Sequence, residues 1–406
     1  MDRFPIGFWN YVDIDRQDAS AVRDWADAGV TLTQGPYYTG SPEHVKKMRA
    51  ILDACEAEGI KLVLVDDRTH WLTLEKGDEA SFRRGVAEAV EQLGDHPATF
   101  GFFVGDEPVK ANFEHACRAM HILKELAPHL SPMLNLLPWH PGVDKHVGHA
   151  RWSDYLDAYC EQARPDFLCY DCYSQMNPGT EGFEMYFYNL RQYWEAARRH
   201  GIPYWTTLLS VGHYRYRCPN EDDIRWQVNT ALAHGAKGLL WFFFYMREPH
   251  ENYRVSPIDE HGERTETYHW LSRVCRTFLN THAPLMRQLS LKRVSHVGQV
   301  WGGWPEFDGT GRVLHVAPSH GVPVIVSEFE GPDGAAYVAL VNSSQRDCTQ
   351  CEVQVRGDHP ELFRVGWEGK EQAVQSSSGN DFVYTWAWLA PGQMELYRVA
   401  ESSRQP

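Results

Sequence analysis

Over roughly the first 280 residues, short apolar runs alternate with longer amphipathic segments whose apolar positions recur every three or four residues. This pattern predicts parallel strands joined by helical crossovers. Eight strands are expected, at 5–9, 30–34, 61–65, 100–104, 133–137, 167–170, 204–209 and 238–244, with helices between them such as 43–58, 80–93, 113–126, 184–200 and 222–234. Gly29, Gly59, Gly201 and Gly235 each follow an amphipathic run and precede a strand, where a left-handed helix cap is expected. From about residue 289 the texture changes to short strand-like runs broken by Gly, Pro, Asn and Asp, including 324–329, 336–341, 351–355, 382–388 and 394–399. Such runs predict an antiparallel β-sandwich.

Eight strand-helix units fit a (β/α)8 barrel better than an open doubly wound sheet, which usually has fewer strands. The expected architecture is therefore an α/β chain: a (β/α)8 TIM barrel over 1–285 and a C-terminal antiparallel β-sandwich domain over 286–406. The sandwich is expected to cover a barrel face or to support a homo-oligomer.

Composition narrows the function. A formal net charge of -15 repels nucleic acid and anionic membrane surfaces, so neither is an expected partner. No apolar run approaches the roughly 18 to 20 residues of a membrane span, and the start MDRFPIGFWN lacks the regions of a signal peptide. A cytoplasmic location is expected, although a removed leader would leave no trace. The nine cysteines are odd in number and spread through both halves, unlike a disulfide framework. Cys169/Cys172 and Cys348/Cys351 are spaced as metal ligands, but positions i and i+3 of a strand face opposite sides, so no metal is expected. No Gly-x-Gly-x-x-Gly follows the first strand and no Walker-type loop occurs, so no nucleotide cofactor is expected. The 15 Trp and 19 Tyr exceed what packing usually asks. Their flat apolar faces and polar handles suit sugar rings, which makes a carbohydrate the expected substrate.

In a barrel, chemistry belongs at the C-terminal ends of the strands. There the sequence places Trp9 and Asn10; Tyr37 and Tyr38; Asp66, Asp67, His70 and Trp71; Asp106 and Glu107; Trp139 and His140; Asp171 and Tyr173; Ser210 and His213; and Trp241, Tyr245 and Glu248. The fourth mouth stands out. Residues 96–108 read HPATFGFFVGDEP, an aromatic strand that ends in two adjacent carboxylates. An isolated Asp-Glu pair more often caps a following helix. With polar and aromatic groups at all eight mouths, the pair instead suggests a sugar cleft with acids at its floor.

Glycoside cleavage needs one protonated carboxyl to donate to the leaving oxygen and one ionised carboxylate as nucleophile or base. Glu107 is the expected acid, because its apolar approach favours a raised pKa. Asp171 is a structural aspartate about as readily as a catalytic one, and His70, His140 and His213 more readily fill ordinary roles than special ones. The expected substrate-binding set is Trp9, Tyr37, Asp67, His70, Trp139, His140, Tyr173, His213, Trp241 and Tyr245.

Asp106-Glu107-Pro108 at the fourth strand resembles the Asn-Glu-Pro of clan A glycoside hydrolases of (β/α)8 fold. Ser256, Pro257, Ile258 and Asp259 through Gly262 to Trp270 resemble the β-galactosidase-like members of that group. The resemblance implies that Glu107 is the acid/base and that a nucleophile glutamate ends the seventh strand. Tyr204 to Ser210 contains no acid, a departure from the pattern. Asp171 is the first choice for the missing partner. A second reading has Asp106 and Glu107 act together as in substrate-assisted hexosaminidases, with Tyr173 or Tyr245 as an added donor. Glu248, Glu251, Asp66 and Asp67 are further candidates, and a non-catalytic carbohydrate-binding barrel is the competing function. Long loops favour exo action.

Overall fold

The computed structural model describes residues 3–247 and 252–401. Its parallel strands are β1 (Ile6–Phe8), β2 (Leu32–Tyr38), β3 (Lys61–Asp66), β4 (Thr99–Asp106), β5 (Met133–Asn135), β6 (Leu168–Asp171), β7 (Tyr204–Leu209) and β8 (Gly238–Phe242), with helices between them. They form two four-stranded sheets, ordered β2-β3-β4-β5 and β1-β8-β7-β6. Two seams join the sheets. At one, Leu136 N donates to Cys169 O at 2.8 Å; at the other, Thr31 N donates to Ile6 O at 2.8 Å and Phe8 N donates to Thr33 Oγ1 at 3.0 Å.

The two-residue period of the strands sorts their side chains. One set, including Val63, Phe103, Met133, Cys169, Trp205, Leu209 and Leu240, meets in an inner cluster drawn from both sheets. The other set, including Leu64, Phe102, Leu134, Leu168, Tyr170, Leu208 and Trp241, packs outward with the helices. Each fully buried aliphatic or aromatic side chain contributes about 1.5–3 kcal/mol. Asn135, Asp171 and Thr207 share the parity of the inner set, so their strand positions aim them at the interior.

Differences from the sequence reading have local causes. β4 runs two residues beyond the expected end because its ladder with β5 continues to Asp106 opposite Asn135. β2 extends to Tyr38, paired with Asp66 of β3. The expected helix 80–93 is Glu79–Ala89 followed by a π-helical turn, Val90–Gly94. All four glycines read as helix ends have positive φ, from +65° to +94°.

Among the described residues beyond 289 come ten strands: β9 (Ser290–Val297), β10 (Val313–Pro318), β11 (Val324–Glu330), β12 (Ala336–Asn342), β13 (Thr349–Arg356), β14 (Pro360–Val365), β15 (Glu371–Ala373), β16 (Ser377–Ser378), β17 (Phe382–Leu389) and β18 (Met394–Glu401). They form antiparallel sheets ordered β15-β14-β18-β12-β11-β9 and β10-β13-β17-β16. Val326, Val338 and Leu340 of the larger sheet meet Val353, Val355 and Val383 of the smaller. The other face of the larger sheet, through Ile325, Ala339, Val341 and Leu396, joins the core of the first part. Trp226, fully buried on helix Glu221–Ala233, donates from Nε1 to Ser343 O at 2.8 Å across this junction. All nine cysteines are free thiols. Among the described residues, no helix is long and apolar enough to cross a membrane.

Candidate active site

The last residues of β4, β5 and β6 converge. Asn135 is buried, and its Nδ2 donates both protons, to Asp106 Oδ1 at 2.9 Å and to Asp171 Oδ1 at 2.7 Å. Its Oδ1 accepts from Cys169 Sγ at 3.5 Å, which orients the amide. Glu107 N donates to Asn135 O at 2.9 Å, so the same residue fixes the backbone of the third acid. The charges of Asp171 and Asp106 both bear on Glu107, and that of Asp171 bears on the Tyr173 hydroxyl. Repulsion among neighbouring carboxylates favours a proton retained on one of them.

The local chain turns sharply to achieve this. Gly105 has φ +147°, and a Cβ there would lie 2.1 Å from the Trp71 ring, so only glycine fits. Glu107 sits at φ +44°, a left-handed conformation that costs a residue with a side chain about 1–2 kcal/mol. Strain of this kind collects at functional sites.

All three carboxyls titrate above the usual carboxylate range. For Glu107 the first cause is desolvation, followed by the charges of Asp171 and Asp106. Desolvation also leads for Asp106, with Asp171 second and the Asn135 donor opposing them. Asp171 is raised by desolvation against the pull of Asn135, Tyr173 and Glu107. Asp106 is exposed at the end of β4.

Aromatic groups wall the carboxylates. Trp9 is buried, donates to Thr207 Oγ1 at 3.2 Å, stacks on Tyr11 and meets Phe103 edge-on. Tyr37 stands at the rim, its hydroxyl pushed up by partial burial first and then by Asp67 and Asp106. His70 caps helix Trp71–Lys76 by accepting from Leu72 N at 3.1 Å, and its ring lies 6.0 Å from Phe103. Burial lowers its pKa first of all, against the charge of Asp67. Tyr173 stacks on Phe242 at 5.3 Å and meets His213 and Tyr216 edge-on. His213 is held down to about 4 by burial and then by Arg254 and Arg247.

Several expected groups stand elsewhere. Trp241 has no exposed surface and faces the outer core, because its β8 parity is opposite to that of Leu240. Tyr245 accepts from Trp25 Nε1 at 2.6 Å and packs edge-on against Phe8, also in the outer layer. Both corrections have one cause: a place near a strand end does not fix which face a side chain takes. Trp139 lies on Tyr188 at 4.5 Å and is clasped by Asn189, while His140 binds Pro141 O and neighbours His146. Asp66 is buried in an ion pair with Arg68, Nη2 to Oδ2 at 2.7 Å, and is not a free acid. Glu248 and Glu251 lie outside the described residues.

Four groups of the site were absent from the expected set. Asn135 holds the acids, and Tyr11 feels the charges of both Asp106 and Asp171. Arg247 lies over the Tyr11 ring at 4.1 Å, and Tyr216 contacts Tyr173. Inward parity at the end of β5 was the available signal for Asn135; the others come from loops, for which no period exists.

No protein-family model matches the chain, and no curated protein matches it. Solved structures do. A glycoside hydrolase family 5 protein from Bacteroides vulgatus ATCC 8482 superimposes with a TM-score of 0.57 at 12% identity, covering 99% of this chain and 90% of that one. A family 39 glycoside hydrolase from the gut symbiont Bacteroides cellulosilyticus WH2 gives 0.55 at 14% identity, over 98% and 81%. A glucosidase from Croceicoccus marinus gives 0.51 at 13% identity, over 99% and 96%. These likenesses show a shared fold that runs through the C-terminal sheets as well as the parallel strands.

Proposed function

We propose that this chain is a glycoside hydrolase, a (β/α)8 barrel over 1–285 followed by a β-sandwich over 286–406, in which Glu107 is the general acid/base and Asp171 the nucleophile. The observation that carries the reading is the Asn135 side-chain amide, which donates to both Asp106 and Asp171 while the Asn135 backbone carbonyl holds the backbone of Glu107. Neighbouring carboxyls, one protonated and one ionised, supply the acid and the anion that glycoside cleavage needs. Glu107 keeps the proton, because Asn135 donates to Asp171 and stabilises its ionised form.

Retaining cleavage uses carboxyls about 5–5.5 Å apart, whereas inversion needs about 6.5–9.5 Å to admit a water. Burial and then the charge of Asp171 raise the Glu107 carboxyl, and this nearness of Asp171 supports the short-separation mechanism. In the first half, Asp171 adds to the anomeric carbon as its bond to the leaving oxygen breaks, and Glu107 gives that oxygen its proton. In the second, a water displaces Asp171 and gives its proton to Glu107. Asp106, open to solvent beside them, is placed to hold a ring hydroxyl, with Tyr11, Tyr37 and Tyr173 as walls. The seventh strand needs no acid, because the sixth supplies it.

The test is a panel of chromogenic aryl glycosides that includes a 2-acetamido sugar. Wild type should hydrolyse at least one neutral member, and Asp171→Asn should lose about a thousandfold or more in kcat. Turnover confined to the 2-acetamido sugar would transfer the mechanism to the Asp106–Glu107 pair, and binding without turnover of any glycoside would contradict hydrolysis.

A further inference from the structure

The smaller C-terminal sheet turns one face to solvent. Along β17, Val383, Thr385, Ala387 and Leu389 are buried, whereas Trp386 and Trp388 are 40% and 69% exposed. The antiparallel register sets Tyr384 opposite Gln354, Trp386 opposite Glu352 and Trp388 opposite Gln350. Two indoles left in water forgo the free energy of burial, so a row of this kind marks a binding face.

The pairing pattern selects the occupant. A face that docks protein is apolar at its centre. Here every ring is answered across the ladder by an amide or a carboxylate, about 5 Å away by strand geometry, and successive rings recur at about 6.6–6.8 Å. An apolar plane beside a hydrogen-bonding group, repeated at that spacing, matches a pyranose with its flat C–H face and rim of hydroxyls. None of the three pairs contains Lys or Arg, which disfavours an anionic polymer. The face also leads into a groove. Pairing of β16 stops at Tyr384, and beyond it Trp386 and Trp388 border a cavity of about 410 Å³. Glu395 lines the same cavity and accepts from Gln393 Nε2 at 3.0 Å.

We infer that this outer face binds a neutral oligo- or polysaccharide, whose sugar rings stack on Trp386 and Trp388 while Gln350 and Glu352 bind hydroxyls. The site is separate from the carboxylate cluster and does not depend on how that cluster works.

Native electrophoresis of the full chain through gels that contain hydroxyethylcellulose, arabinoxylan or galactomannan, or no polymer, provides the test. Wild type should be retarded by at least one polymer. Trp388→Ala should weaken the retardation roughly tenfold, and the Trp386→Ala/Trp388→Ala double variant should abolish it. Neither change should alter Tm or the hydrolysis of a small aryl glycoside. Absence of retardation in every polymer gel, or equal retardation of wild type and double variant, would overturn the proposal. So would Trp-dependent self-association by light scattering without retardation. The single variant replaces the more exposed indole and keeps the test informative if the double variant folds poorly.

Discussion

Asn135 donates to Asp171 at 2.7 Å, and the second proton of the same amide goes to Asp106. One neutral side chain thereby fixes two acids that would otherwise repel each other. Asn135→Ala removes two hydrogen bonds to ionisable groups, each worth about 1.5–3 kcal/mol. It should lower kcat/KM by about tenfold to a hundredfold and move the acid limb of the pH profile upward, since Asp171 loses a donor to its ionised form. An unchanged pH profile would show that the amide only fills space.

The raised carboxyls also set the pH dependence. Two ordinary carboxyls would place activity near their usual pKa of about 4. Here the limbs of kcat/KM should be displaced toward neutral or higher pH, because Asp171 ionises late and Glu107 holds its proton longer. The linkage to stability has a definite sign. A carboxyl whose native pKa is raised contributes stability fully below its unfolded value of about 4, and the contribution is lost as pH rises through the native titration. Asp106→Asn should therefore raise Tm at pH 8 by a few degrees and do little at pH 4. The opposite order in a pair of melting curves would contradict the shift.

Where the two parts meet, His234 and His296 are buried with their Nε2 atoms 3.1 Å apart. The His234 Nδ1–H donates to Thr230 O at 2.7 Å, so its Nε2 is an acceptor and both rings are neutral. Burial lowers His234 to about 4, and burial and then His234 lower His296 further. Groups depressed in this way stabilise the fold above an unfolded pKa of about 6.5, and that stability is lost as pH falls toward their native values. The loss should reach about 3 kcal/mol for His234. Denaturant midpoints from pH 7 to pH 4 should fall steeply in wild type and less in His296→Leu; parallel curves would remove the pair from the acid response.

Gly105 gives the sharpest structural forecast. Gly105→Ala meets both a positive φ and the Trp71 ring at 2.1 Å, and should cost about 3 kcal/mol. Because the adjustment must pass through Asp106, activity should fall even at temperatures where the variant is folded. Full specific activity in the folded fraction would uncouple the turn from the site.

The strand count and the change of texture near residue 289 could be read from periodicity, because a two-residue alternation and a helical period leave distinct patterns in sequence. Glu107 was visible for a related reason: acids at the end of an aromatic strand break the pattern. Trp241 misled because nearness to a mouth was read without parity; counting from Leu240 places it outward. Asn135 was hidden by the same omission, in a strand drawn two residues too long. Tyr11 and Arg247 approach the acids from loops, and their positions follow from long-range packing that no local pattern encodes. Asp66, one of the further candidates for the second carboxylate, is paired with Arg68 two residues away, a pair that spacing alone did not reveal.

The role of Glu107 is tested most directly by comparing two aryl glycosides of one sugar, one with a poor leaving group and one with a dinitrophenol that departs unprotonated. If Glu107 supplies the proton, Glu107→Gln should lower kcat/KM by about 10²–10⁴ on the first substrate and far less on the second. Equal losses on both substrates, or none on either, would contradict Glu107 as the proton donor.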